Sequence, residues 1–127
     1  MPGPTEVTSA LLLKALDAAT LRHQAIASNI ANANSVDYKP LSVNFEQQLG
    51  FARAALESGQ PSLTLADVAG LRATLEEGAA PAPGTASVMV DMEMVKLAQN
   101  TLQYQALIKG LTHRGGLISI AVNEGKR

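Results

Sequence analysis

Near each end of this 127-residue chain, apolar and small residues recur at alternating steps of three and four. The first set is Leu12, Leu16, Ala19, His23, Ile26, Ile30 and Ala33. The second is Met94, Leu97, Thr101, Tyr104, Ile108 and Leu111. This rhythm is the a/d seam of a heptad, which a helix alone keeps on one side. The spacing predicts an N-terminal helix over 9–34 and a C-terminal helix over 91–114, with apolar residues that could carry it to 122. The first would be roughly 37 Å long at 1.5 Å per residue. Helices of that length can cover their seams only against each other or against further copies. The expected fold is mostly α, with two long terminal helices in an antiparallel coiled-coil-like hairpin and an irregular or short-helical middle. The whole chain is expected to form one helical domain, 1–127.

Flanking residues sharpen these bounds. Met1-Pro2-Gly3-Pro4 is a poor helix start, so Thr8 or Ser9 is the expected N-cap. Asn32, Asn34, Ser35 and Asp37 break the first seam, since short polar side chains compete for backbone hydrogen bonds and tolerate left-handed backbone. Pro40 then pushes Lys39 into an extended conformation. Over 35–89 the signals are short: Asn44 with Gln47, ahead of a face at Phe45, Leu49, Ala52 and Leu56, and Thr64 with Asp67, ahead of Val68, Leu71 and Leu75. Both pairs have capping-box spacing. Gly59-Gln60-Pro61 separates them, and a Pro/Gly/Ala-rich linker runs from Gly78 to Ser87. No strand is expected. Asp91 is the expected N-cap of the second helix, with Glu93 in its first turn. Gly115-Gly116 is expected to end or kink it, before Leu117, Ile118, Ile120 and Val122 resume.

Composition narrows function further. The hydrophobic share is 46%, yet there are two Tyr, two Phe and no Trp. Ala-rich faces bury little area each, so burial between subunits matters to such a chain. A net charge of −1 with scattered Lys and Arg gives no pull toward nucleic acid. No cysteine is present, so there is no disulfide framework or thiolate metal site. The two histidines, His23 and His113, sit on different helices without a metal-binding spacing. No phosphate-binding loop or nucleophile motif occurs. The expectation is a protein without catalytic, cofactor, metal or small-molecule sites. The N-terminus lacks the charge and apolar run of a cleaved signal.

One segment is oddly specific. Asn29, Asn32 and Asn34 close a helix that is otherwise rich in Ala and Leu, although Asn inside a helix costs about 0.5 kcal/mol relative to Ala. Repeating that cost points to fixed polar contacts. The run Ala27-Ser28-Asn29-Ile30-Ala31-Asn32-Ala33-Asn34, followed by Tyr38-Lys39, resembles a motif of the bacterial flagellar rod, hook and hook-associated proteins. There it reads Ala-x-Asn-Ile/Leu-Ala-Asn-x-Asn/Asp-Thr-Pro-Gly-Tyr/Phe-Lys/Arg, and Val36-Asp37 stands here in place of Pro-Gly. Val90-Asp91-Met92-Glu93-Met94 and Leu102-Gln103-Tyr104-Gln105 resemble the C-terminal helix of the proximal rod type. The resemblance implies export without a cleaved signal and assembly in the basal-body rod within the periplasmic space. The partners it implies are further copies, other rod proteins, the membrane ring and the export gate. Subunit packing would fall on Leu12, Leu16, Ala19, Ile26, Ile30, Ala33, Met94, Leu97, Tyr104, Ile108 and Leu111. Motif and turn contacts would fall on Asn29, Asn32, Asn34, Tyr38 and Asp91. A soluble helical dimeric adaptor or secretion chaperone is the alternative that the same amphipathic ends allow.

Overall fold

The computed structural model describes residues 4–45 and 64–125, with side chains described as far as His113. The elements are helix α1 (Pro4–Ala31), strand β1 (Leu41–Asn44), helix α2 (Leu65–Ala69), strand β2 (Thr74–Glu77) and helix α3 (Ala86–Gly125). The chain is mostly helical, and its two long helices form a hairpin. Contacts pairing Asn29 with Glu93, Ala19 with Asn100 and Leu12 with Gly110 show that α1 and α3 run antiparallel.

Helix α1 starts before the Thr8/Ser9 cap suggested by the sequence. Pro4 is its first residue, where a missing N–H costs nothing and the fixed φ suits a helix. Glu6 places negative charge in the first turn. The helix ends at Ala31, and the Asn32 side chain turns back to donate to the carbonyl of Ser28 at 2.8 Å. Ser35 N–H then donates to Asn32 C=O at 2.9 Å, and the chain reverses through Asp37 at φ 62°.

Two strands form where none was expected. β1 pairs antiparallel with β2 in the register Leu41↔Glu77, Ser42↔Glu76, Val43↔Leu75 and Asn44↔Thr74. Four residues per strand are too few for a two-residue period to stand out in the sequence. Asn44 therefore lies in a strand, and its amide donates to Glu76 Oε1 at 2.9 Å. The helical face read over Leu49, Ala52 and Leu56, with the Gly59–Pro61 break, lies outside the described residues.

The Thr64–Asp67 capping box is present in both directions. Asp67 N–H donates to Thr64 Oγ1 at 3.2 Å, and Thr64 N–H donates to Asp67 Oδ2 at 3.0 Å. Those bonds, the backbone one first, hold the exposed Asp67 carboxyl below its ordinary pKa. Helix α2 delivers Val68 to the interior, and Leu71 follows it there just past the C-cap Gly70. Ala18, Phe45 and Leu71 form the buried cluster, with Leu11, Ala15, Val43 and Ala73 packed around it. Helix α1 is thus the central element, with the small sheet and α2 on one flank and α3 on another.

Helix α3 begins earlier than Asp91. Gly84, at φ 82°, turns the chain out of the Pro81–Pro83 run, and Met89 N–H donates to Thr85 C=O at 3.0 Å. Nothing from Ala86 to Val90 stops a helix, so Asp91 lies inside it and exposed rather than at its cap. The helix also continues through Gly115-Gly116. Two glycines cost about 2 kcal/mol against alanine, which a 40-residue hydrogen-bonded helix withstands.

Candidate assembly site

The Asn29 side chain, 1% exposed, is the hub of the molecule. Its Nδ2 donates to the carbonyl of Leu41 at 2.8 Å and to Glu93 Oε2 at 3.1 Å. Its Oδ1 accepts from Leu41 N–H at 2.8 Å and from the Tyr38 hydroxyl at 2.8 Å. An amide offers two donors and two acceptor lone pairs, so all four valences are used. Tyr38 has one proton, given to Asn29, so at 2.9 Å it must accept from Ser28 Oγ. Asn32 Nδ2 lies 3.5 Å from that same Ser28 oxygen. A directed chain of bonds therefore runs from Asn32 through Ser28 and Tyr38 to Asn29.

The chemical effect is a clamp. Asn29 binds both backbone groups of Leu41, as a neighbouring strand would, and so ties the segment after the turn to α1. Through Glu93 it also ties α3 to the same point. Glu93 is buried, and its other oxygen receives the half-exposed Lys96 ammonium at 3.0 Å. That charge is compensated on both oxygens, as a buried carboxylate requires.

The structure brings some of the expected residues together and leaves others apart. Ala19 and Ile26 are buried, and Leu12, Leu16, Ile30, Ala33, Leu97 and Leu111 are half-buried. Asn29, Asn32 and Tyr38 join in the network, whereas Asn34 is exposed in the turn. Met94, Tyr104 and Ile108 are exposed in the single chain. The side of α3 that meets α1 carries Glu93, Asn100 and Gly110, with Leu97, Leu107 and Leu111 half-buried along it, partly one residue out of phase with the apolar seam. Glu93 and Asn100 escape the sequence reading because the seam was counted through their neighbours Met94 and Thr101, one residue further on. Their signal was the same three-four spacing, counted without regard to polarity. Asn100 donates to the carbonyl of Ala19 at 2.9 Å, but its own Oδ1 is buried with no partner among the described residues.

A second apolar line runs along the side of α3 turned away from α1. Val88, Met92, Val95 and Leu102 are all more than half exposed there, Leu102 at 68%. Among the described residues, no group of acidic, His or Cys side chains could hold a metal ion, and no helix is long and apolar enough to cross a membrane.

A curated relative, the flagellar basal body rod protein FlgB of Bacillus subtilis (strain 168), is 30% identical over 122 residues, covering 91% of this chain and 92% of its own length. The chain belongs to the FlgB family of flagellar basal-body rod proteins. No family model and no solved structure matches it. In this FlgB-family chain the Asn-rich motif has a physical reading: Asn29 is the clamp, and Asn32 caps the helix and orients the hydroxyl chain. Asp37 adopts the positive φ at the position where the motif carries Gly.

Proposed function

We propose that the chain is a non-catalytic structural subunit of the flagellar basal-body rod. It polymerises through its terminal helices with copies of itself and with other rod proteins, and links the membrane ring and export gate to the drive shaft. It reaches the periplasmic space by export without a cleaved signal. The observation that carries this reading is the exposed line of Val88, Met92, Val95 and Leu102 on a helix whose other side already meets α1. Four large apolar side chains aligned on one face mark an interaction surface rather than scattered exposure. Family membership supplies the context in which that surface is covered.

Leu102→Asp tests the proposal, because that side chain is 68% exposed in the single subunit. The purified variant should keep its helical content and melting point, while cells carrying it make no rods and do not swim. Motile cells with normal basal bodies would refute the role of this face.

A further inference from the structure

The hydrogen bonds of the small sheet show which backbone groups its edges offer. Gly78 N–H donates to Pro40 C=O at 2.8 Å, so Pro40 and Gly78 form a bonded rung. In an antiparallel pair bonded rungs recur at every second residue, which places the next two at Ser42/Glu76 and Asn44/Thr74. The residues between them, Leu41 and Val43 on β1 and Leu75 and Glu77 on β2, turn their N–H and C=O groups away from the partner strand. Leu41 confirms this phase, since both of its backbone groups are taken by Asn29 on α1. On β2 the corresponding groups of Leu75 and Glu77 point outward from a strand that is exposed along its whole length.

We propose that this edge of β2 receives an extended segment of a partner protein, with Lys or Arg opposite Glu76 and Glu77 and an apolar residue opposite Leu75. The added strand bonds to the N–H and C=O groups of Leu75 and Glu77, and its side chains set the specificity. Charge selects the occupant. Successive side chains of a strand lie on opposite faces, so Glu76 and Glu77 make both faces of the edge negative. Among the described residues neither carboxylate belongs to an ion pair, and the Asn44 amide that holds Glu76 Oε1 is neutral. Charges on an edge strand keep other strands away. Two charges of one sign do so selectively, repelling an acidic strand and attracting a basic one. A second copy is disfavoured as occupant, because edge-to-edge pairing centred on Glu76 sets like charges directly opposite. Leu75, 47% exposed, supplies the apolar contact.

The test uses the whole purified chain with a capped peptide, Lys-Lys-Val-Thr-Val, and its acidic counterpart, Glu-Glu-Val-Thr-Val. Amide NMR should show the basic peptide shifting the Leu75 and Glu77 signals and slowing exchange of their N–H groups. At low salt its Kd should lie about tenfold below that of the acidic peptide. The double variant Glu76→Lys with Glu77→Lys should reverse that preference.

Leu75→Pro separates strand pairing from plain charge attraction. The N–H it removes points outward, so the rung between Ser42 and Glu76 survives, as proline on a sheet edge allows. Binding of the basic peptide should nevertheless fall about tenfold, whereas Leu75→Val, which keeps the N–H, should stay within about twofold of the parent. Equal affinity for the two peptides, shifts centred away from β2, or undiminished binding by Leu75→Pro would each overturn the proposal. Should Leu75→Pro fail to fold, the charge reversal and the slowed Leu75 and Glu77 exchange decide alone.

Discussion

Asn29→Ala is the sharpest probe of how this subunit holds its shape. The substitution strands Leu41 N–H, Leu41 C=O, the Tyr38 hydroxyl and one oxygen of Glu93. The Leu41 and Tyr38 contacts are part-buried, so water recovers much of their loss, and they cost about 0.5–1 kcal/mol each. The Glu93 bond is fully buried and charged, and costs about 1.5–2 kcal/mol. The sum is about 4 kcal/mol, a large part of the ~5–15 kcal/mol that stabilises a typical domain. Urea unfolding followed by circular dichroism should show a midpoint about 2 M lower if the slope is about 2 kcal/mol/M. Asn32→Ala, which removes a cap on Ser28, is the control and should cost about 1 kcal/mol. A loss below about 1 kcal/mol for Asn29→Ala would refute the clamp, because four stranded groups cannot all be satisfied so cheaply.

Three further outcomes are expected. Gly110→Ala should raise stability by about 1 kcal/mol, since the added Cβ meets only Leu12 methyls at ordinary contact distance, 3.9–4.0 Å, while the helix gains propensity; a lower urea midpoint would contradict the packing of α1 on α3. Asp37→Gly should stabilise the turn by about 0.5 kcal/mol by removing a left-handed non-glycine residue, and Asp37→Val should destabilise it by more, both measured by the same unfolding curves. Asp67 has a folded-state pKa below its unfolded value, so its cap contributes stability above the unfolded value and loses it as pH falls through the folded one. Thr64→Ala removes the hydroxyl but keeps the Thr64 N–H bond, so it should move the Asp67 titration only part of the way back up, read by NMR, and weaken that acid dependence without abolishing it.

How far the sequence reveals this fold depends on the length over which each signal repeats. The two terminal helices are plain because their apolar spacing persists over several turns. The Thr64–Asp67 box was legible because capping chemistry fixes two residue types at a set interval. Strands β1 and β2 were not, since each has four residues and their partners lie 30 to 36 positions apart. The Asn-rich segment stood out as polar and costly, and part of its role was visible: fixed contacts at Asn29, Asn32 and Tyr38. That Asn29 grips the backbone of Leu41 was not, because a backbone partner leaves no mark on residue type. The α3 line meeting α1 was misplaced partly by one residue, since the count ran through Met94 and Thr101 whereas Glu93 and Asn100 occupy it. Helix starts drifted for a related reason: Asp91 is a good cap in isolation, but Gly84 and Thr85 had already turned the chain.

The clamp also implies a sequence of events as the polypeptide takes shape. Three of the four bonds to Asn29 close loops of at most 12 residues, whereas the bond to Glu93 spans 64. Loop-closure entropy makes the longer closure dearer by about 1.5 kcal/mol. The first helix and its reverse turn can therefore be set before the distal half is in place, leaving one Asn29 N–H as a waiting donor for Glu93 when the last helix arrives.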